Sequence, residues 1–322
     1  MKSQSRDFWL MLVVFALLGW LLWGVFLEDA DEPVDSSENV PVLEVKPKAA
    51  KVETVPVKDL TVKSLLVANQ PVLDTVKPPV SASTSTSKKT GVTLPVGHVS
   101  FSLRDDGLAI TGGDMILGKI QSEFKGKVGI FKPPPRRLWA TRDIPFFIHP
   151  EVQQQQLVRD AVEYINSLGA VQLVPFSGQE DAIAFVPDDE GCYSYLGSVG
   201  GHQPILLAPQ CGFTEVLHEI MHALGFVHEH ARKGRDEYVE VLWENIQPGR
   251  EIQFEEAPDS FVHDFVGSVF EFDYESVMLY PASGFAKSPD LITLKSKTDK
   301  TINPTQGGLS SRDIERLLHL YQ

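Results

Sequence analysis

Three histidines and one glutamate lie close together in the chain. His218, Glu219 and His222 fall within HEIMH, and His228 follows after ALGFV. Residues four apart lie on one face of a helix, so the imidazoles of His218 and His222 can bind the same metal ion. Gly225 can adopt the left-handed conformation that ends a helix, and a turn there would bring His228 back as a third ligand. The spacing predicts one zinc ion per chain.

Three protein ligands leave a fourth position for water, which is typical of catalytic rather than structural zinc sites. Zinc lowers the pKa of bound water to about 7, and Glu219 is placed to accept its proton and pass it to a leaving amine. The pattern therefore predicts a metal-dependent hydrolase with Glu219 as general base. HEIMH alone could be the polar face of an ordinary helix, but Gly225 and His228 at their fixed offsets favour the metal site.

Charge and cysteine content exclude several other classes of protein. The chain has 322 residues, 29 Lys and Arg against 43 Asp and Glu, a net charge of −14 and only 2 Cys. Such an acidic chain is not expected to bind nucleic acid, which requires a basic face. Two cysteines can form neither a disulfide-rich miniprotein nor a zinc ribbon.

An apolar run near the N-terminus predicts a membrane anchor. Residues 8–27, FWLMLVVFALLGWLLWGVFL, contain no charge and are long enough as a helix to cross a bilayer. Lys2 and Arg6 precede the run and four acidic residues follow it, so residues 1–7 are expected in the cytoplasm and the rest of the chain on the periplasmic or extracellular side. A cleaved signal peptide is the alternative, although its apolar region would be shorter and end at a small-x-small site. Release of the protein after cleavage is a further alternative.

Residues 28–94 are rich in Pro, Ser, Thr and Lys with few aromatics, which predicts a flexible tether.

Beyond the tether the pattern of apolar residues predicts an α+β fold, with strands first and fewer helices afterwards. The predicted strands cover 144–149, 171–175, 182–186 and 204–207. Helices are predicted from Val152 to Gly169, from a cap at Thr214 to Gly225, and from a capping box at Ser310 and Asp313.

The segment HEIMHALGFVHEHARKGRDEYV resembles the metzincin zinc motif, and within the metzincins the astacin family, in which Glu directly follows the third His, as Glu229 does here. YESVMLY resembles the family's Met-turn, and LSSRDIERLLHLY resembles its last helix. The resemblance covers about 138–322. Leu279 and Gly234 depart from the family pattern, where His and Asp are usual.

The resemblance implies a metzincin-type zincin fold, with an N-terminal twisted sheet, an active-site helix and a smaller irregular C-terminal subdomain. It implies that Met278 forms the turn beneath the zinc and that Tyr280 stabilises the oxyanion of the tetrahedral intermediate. It also implies that Cys192 and Cys211 form a disulfide; two buried free thiols are the alternative. Glu229 is implied to pair with the new N-terminus after maturation.

The segment 95–137 resembles the family's propeptide, in which an aspartate caps the zinc. Asp114, in TGGD, is implied to fill that role, although Thr111 stands where the family has Phe. The basic, proline-rich stretch 132–137 is a candidate cleavage region. An ordinary Gly-Gly-Asp turn is the alternative interpretation.

Taken together, these features predict a membrane-anchored zinc endopeptidase that is made as a latent zymogen and acts on protein or peptide substrates. Two alternatives remain at this point. One is a non-catalytic, membrane-tethered zinc-containing binding module, and the other is a metal hydrolase of cell-wall amide bonds.

Overall fold

The structure is a computed structural model that describes residues 98–120, 128–131, 137–261, 269 and 271–322. The predicted cytoplasmic tip (1–7), anchor (8–27) and tether (28–94) lie outside these residues, as does most of the candidate cleavage stretch 132–137. In the part of the chain that is described, no helix has the length and apolar character needed to cross a membrane.

The described residues form eleven strands and three α-helices. The strands are β1 (Val99–Leu103), β2 (Leu108–Thr111), β3 (Met115–Lys119), β4 (Val128–Phe131), β5 (Asp143–Ile148), β6 (Gln172–Pro175), β7 (Ala182–Pro187), β8 (Cys192–Tyr195), β9 (His202–Leu207), β10 (Val239–Val241) and β11 (Leu294–Ser296). The helices are α1 (Gln155–Ser167), α2 (Phe213–Ala223) and α3 (Ser311–Leu320).

Nine strands form one mixed sheet in the order β4-β1-β2-β3-β8-β9-β7-β5-β6. Neighbours from β9 to β6 are parallel, β8 is antiparallel to β9, and β3 joins β8 in parallel. The α+β prediction is confirmed, and the four predicted strands correspond to β5, β6, β7 and β9. The sheet is wider than expected, because strands β1–β4 of the propeptide-like segment extend it beyond β8.

The helices α1 and α2 pack on one face of this sheet. Val158 and Ile165 from α1 and Leu217 and Ile220 from α2 are fully buried, at the helical spacing that the sequence shows. They share a core with the sheet residue Phe185. This packing fixes α2, and therefore the two histidines that it carries.

The start of α2 differs from the prediction. The N-cap is Gly212 rather than Thr214, and the Glu215 carboxylate accepts a 2.9 Å hydrogen bond from the Gly212 N–H. The Thr214 hydroxyl instead accepts from the N–H of Gly307, 2.8 Å away, in a distant loop. A tertiary contact has therefore displaced the cap that local preference favoured.

The end of α2 matches the prediction. Gly225 has φ +104°, the left-handed conformation, and its N–H donates to the His222 carbonyl over 2.8 Å. Two further carbonyls of this end are satisfied by side chains: Trp139 Nε1 donates to Ala223 over 2.9 Å and the Tyr321 hydroxyl to Leu224 over 3.0 Å.

The C-terminal part is smaller and irregular, as expected. It contains the two-stranded antiparallel sheet of β10 and β11 and several 3₁₀ turns around an apolar cluster that includes Phe254, Tyr274 and Tyr280. Leu279, where the family pattern has His, is buried in the same cluster. Gly234, where the pattern has Asp, has φ +75° at the start of a 3₁₀ turn.

The structure pairs Cys192 and Cys211 as a disulfide that closes a loop of sequence separation 19 and joins the start of β8 to the residue before the α2 cap. Replacing both cysteines with Ala should lower stability by about 3 kcal/mol, because the bridge restricts the unfolded chain. Thermal denaturation should show a midpoint roughly 6–12 °C lower for a domain of this size. The double variant should not respond to reductant, whereas the unmodified protein should. An unchanged midpoint would show that the disulfide is not stabilising.

Candidate active site

The three predicted histidine ligands converge, and Asp114 lies against them. The Nε2 atoms of His218 and His228 are 3.1 Å apart. Asp114 Oδ1 lies 3.1 Å from His222 Nε2, while its Oδ2 lies 3.1 Å from His228 Nε2 and 3.4 Å from His218 Nε2. All four candidate ligand atoms lie within 4.8 Å of one another. The structure thus brings the predicted ligands and the predicted capping aspartate to one point.

The outer nitrogens of two histidines fix their tautomers. His218 Nδ1 lies 2.9 Å from the Val277 carbonyl and His222 Nδ1 lies 2.6 Å from the Phe226 carbonyl. A carbonyl only accepts hydrogen bonds, so each Nδ1 carries the proton and each Nε2 keeps a lone pair directed at the common point. Burial lowers the pKa of His222 to about 4, which keeps its imidazole neutral at physiological pH.

This donor set fits zinc. Ligands at zinc bond lengths of about 2.0–2.1 Å lie about 3.4 Å apart in a tetrahedron, close to the separations found between Asp114 and the histidines. Three imidazoles and one carboxylate are also a chemistry that zinc accepts. His218, His222 and His228 would hold the ion, and Asp114 stands where a fourth ligand would be.

Glu219 lies next to the first histidine on α2 and is almost completely buried. Its Oε2 atom is buried and has no hydrogen-bond partner among the described residues. Burial, followed by the nearby charge of Asp114, raises the pKa of Glu219 well above its usual range. A buried carboxylate oxygen without a partner is costly to maintain, and such groups are common where a proton must be carried.

The charge of Asp114 is stabilised by its neighbours. Burial alone would raise its pKa, but the surrounding imidazoles of His228, His222 and His218 hold the pKa of Asp114 well below its usual range. The carboxylate is therefore ionised and suited to a position beside a cation.

Tyr280 contacts the segment that carries Asp114. Its hydroxyl donates a 2.7 Å hydrogen bond to the Gly112 carbonyl. Gly113 has φ +108°, and a Cβ added there would lie 2.6 Å from the Tyr280 hydroxyl oxygen. Glycine is needed for this approach on both grounds. The burial of Tyr280, with Asp114 nearby, raises the pKa of its hydroxyl well above the usual value, so the group is a neutral donor.

The Met-turn is held by α3. Asp313 accepts hydrogen bonds from the Ser276 hydroxyl (2.7 Å) and from the Val277 N–H (2.8 Å), and the Val277 carbonyl in turn orients His218. Met278 is buried in the main core with α2, and its carbonyl accepts from the N–H of Glu229 over 2.8 Å. The chain therefore turns at Met278, and the backbone of this turn contacts both the ligand His218 and Glu229, which directly follows the ligand His228.

Glu229 is fully buried and its carboxylate has four donors. Arg232 donates over 2.6 Å, Arg316 from two nitrogens over 2.9 and 3.1 Å, and the Asp273 N–H over 2.7 Å. Oε1 accepts three of these hydrogen bonds and Oε2 accepts one, and the charge of Glu229 is paired with two arginines. The pairing of Glu229 with a new N-terminus after maturation stays a prediction.

Sequence reasoning missed two supporting residues. The His230 ring packs against those of both His228 and Tyr280, with centroid separations of 5.2 and 4.1 Å, and its Nε2 donates to the Gln253 carbonyl over 3.1 Å. Arg316, the counter-ion of Glu229, lies far along the chain. The HEH triplet after the turn could have signalled His230; no spacing signals Arg316.

A mixed sheet with an active-site helix, three converging imidazoles and a Met-turn define a zinc-dependent peptidase of the metzincin type. Residues 131–322 match the peptidase family described as Astacin. This match covers more than half of the chain, which therefore belongs to the astacin family of zinc metallopeptidases.

Two proteins with similar sequences are also named as metalloproteinases. The chain is 32% identical over 254 residues to the astacin-like metalloendopeptidase of Mus musculus, covering 74% of this chain and 56% of that protein. It is 34% identical over 189 residues to zinc metalloproteinase nas-13 of Caenorhabditis elegans, covering 57% and 40%. The chain thus spans about half the length of these relatives.

A similar solved structure is high choriolytic enzyme 1, a hatching enzyme zinc-protease from Oryzias latipes. It has a TM-score of 0.50 and 28% identity, and the alignment covers 58% of this chain and 93% of that one.

Proposed function

We propose that the chain is a zinc endopeptidase that hydrolyses peptide bonds in protein substrates and is held latent by its own N-terminal strands. The convergence of three histidine Nε2 atoms on one point, with the Asp114 carboxylate in the remaining position, carries this proposal. The membership of the astacin family supports the choice of peptide bonds as the substrate class.

When bound, zinc supplies Lewis acidity and makes water acidic enough to lose a proton near neutral pH. Glu219 accepts that proton and transfers it to the leaving amine. Burial favours this role, because a raised pKa makes the carboxylate a better proton acceptor. The Tyr280 hydroxyl, once freed from Gly112, donates a hydrogen bond to the oxyanion that develops on the substrate. His230 and the Met-turn keep Tyr280 and the ligand histidines in position.

Latency follows from two contacts of one segment. The Asp114 carboxylate fills the position that a water molecule would need beside the histidines. The Gly112 carbonyl accepts the hydrogen bond of the Tyr280 hydroxyl, which is then not available to a substrate. Both contacts must be lost before the residues described above are fully active on a substrate. Cleavage within 132–137, between β4 and the catalytic part, is the proposed activation event.

Anchoring through residues 8–27 is part of the proposal. The run of twenty uncharged residues and the basic residues before it support a single-pass orientation with a cytoplasmic N-terminus. The catalytic part would then lie on the periplasmic or extracellular side, where the Cys192–Cys211 disulfide is stable.

Replacing Asp114 with Ala in the uncut chain should raise its basal peptidase activity roughly 10- to 150-fold, the equivalent of the 1.5–3 kcal/mol typical of a hydrogen bond to a charged group. Activity should stay below that of the fully processed enzyme, because Gly112 still engages Tyr280. The matched control is Asp105→Ala, at an exposed position of the same segment. Equal activity of the two variants would contradict the capping role.

The function itself is tested by hydrolysis of an unfolded protein after the N-terminal strands have been cut and removed. A zinc chelator should abolish cleavage, and added zinc should restore it. Metal analysis should give one zinc per chain. Activity on peptidoglycan but not on protein would replace the peptidase with a cell-wall amide hydrolase, and zinc binding without any hydrolysis would indicate a binding module.

A further inference from the structure

The N-terminal strands, β1–β4, belong to the same sheet as the strands of the catalytic part, residues 138–322. They contribute four of the nine strands of the sheet, and β3 pairs with β8 through Met115 opposite Ser194 and Ile116 opposite Tyr195. The Ser194 N–H also donates to the Asp114 carbonyl over 3.1 Å. Without β3, the unpaired edge of β8 would be exposed.

Apolar side chains of these strands are buried against the catalytic part on one side of the sheet. Leu108, Ile110 and Ile116 are each at most 3% exposed. On the side of the catalytic part, their cluster includes Phe147, Ala182, Ala184, Val186, Tyr195 and Leu206. Burying one Leu or Ile side chain corresponds to an affinity gain on the order of 10- to 150-fold, so three of them make a substantial docking surface.

A second cluster holds the other side of the same strands. Phe101 is fully buried, and Met115 and Leu117 are nearly so. They pack with Leu196, Val227 and Phe261 of the catalytic part. Val227 precedes the third histidine ligand, so this cluster lies beside the metal site. The N-terminal strands therefore carry apolar contacts on both faces.

An ion pair fastens the turn between β1 and β2. The Arg104 guanidinium donates to both oxygens of the Asp188 carboxylate over 2.7 and 3.1 Å, and both side chains are only 9% exposed. The guanidinium also lies 4.6 Å from the centroid of the Tyr193 ring. Bidentate pairing and stacking on an aromatic ring are the strong forms of arginine contact. Asp188 is further held by the N–H groups of Glu190 and Gly191.

We propose that the N-terminal strands stay bound after the chain is cut between β4 and β5, as a noncovalent inhibitory subunit held by the β8 edge and by the two apolar clusters. The proposal rests on the proposed latency but adds a requirement to it. A single cut leaves Asp114 and Gly112 in place, and activity appears only when the N-terminal strands are displaced or degraded. Residues 98–120, which carry these contacts, precede the region that matches the family.

The test uses the full chain with a recognition sequence for a sequence-specific protease in place of residues 132–136 and an affinity tag at the N-terminus. After complete cutting, the two pieces should elute together in native buffer and separate in urea. Peptidase activity should rise less than about threefold on cutting and much more after the tagged piece has been removed. Separation of the pieces in native buffer, directly after cutting, would overturn the inference.

A second experiment weakens the contact between the two pieces with the substitution Arg104→Gln and measures how fast they dissociate. Truncating one partner of a buried hydrogen-bonded charge pair typically weakens association about 30-fold or more, and the cut pieces of this variant should dissociate correspondingly faster. Asp105→Asn, at an exposed neighbouring position, should leave dissociation unchanged. Equal dissociation rates in the two variants would show that the Arg104–Asp188 pair does not hold the N-terminal strands.

Elution and activity report on different proposals. Pieces that stay together in native buffer support the docking surface even if the isolated catalytic part proves inactive, in which case the proposed function fails alone. An active catalytic part whose N-terminal piece falls away on cutting keeps the function and overturns the docking inference.

Discussion

Replacing Glu219 with Gln is expected to lower kcat/KM of the processed enzyme roughly 100- to 10,000-fold, the range typical of losing a positioned general base. Gln keeps the size of the side chain but cannot take up a proton. The side chain is buried and its Oε2 has no partner among the described residues, so the substitution breaks no hydrogen bond to that atom. Zinc content and the melting temperature should stay unchanged.

The matched control for that experiment is Glu215→Gln, one turn earlier on the same helix. Glu215 is exposed and accepts a hydrogen bond from Gly212, which a glutamine carbonyl can also accept. This variant should retain activity within about twofold, because it removes an exposed charge that solvent screens and leaves the Glu219 carboxylate in place. A Glu219→Gln enzyme as active as this control would show that another group takes the proton.

Replacing Arg316 with Met is expected to destabilise the fold by about 3 kcal/mol. Breaking a buried ion pair usually costs about 3–5 kcal/mol, and the lower end applies because Arg232 continues to neutralise Glu229. Arg316 also donates to the carbonyls of Val269 and Glu271, which would lose a partner. The melting temperature should fall by roughly 6–12 °C.

Arg312→Met, one turn earlier on the same helix, is the control and should cost less than about 1 kcal/mol, because Arg312 is more exposed and its partner Glu271 is 60% exposed. A drop in melting temperature no larger than that of Arg312→Met would show that the pair does not stabilise the fold.

The metal ligands could be predicted because their chemistry imposes a local spacing. His218 and His222 lie one helical turn apart, and Gly225 permits the turn that returns His228. The sequence also predicts strands β5, β6, β7 and β9. Apolar runs between turn residues indicate buried strands whichever strands they pair with.

Features that depend on distant contacts could not be predicted. β8 is short and begins at a half-buried cysteine, so it has no clear apolar pattern, and it is a strand because β3 and β9 flank it. The cap of α2 moved to Gly212 because Thr214 contacts a remote loop. Arg104 and Arg316 gave no signal, since their acidic partners lie 84 and 87 residues away.

The placement of α3 also bears on the biosynthesis of the protein. All three ligand histidines precede residue 229. Asp313 nevertheless holds the turn that orients His218, and Arg316 neutralises the carboxylate of Glu229, which directly follows the last ligand. A ribosome that has completed residue 300 has made every ligand but not the helix that supports them. The metal site is therefore expected to assemble only after α3 has emerged, so that an incomplete nascent chain is not a working protease.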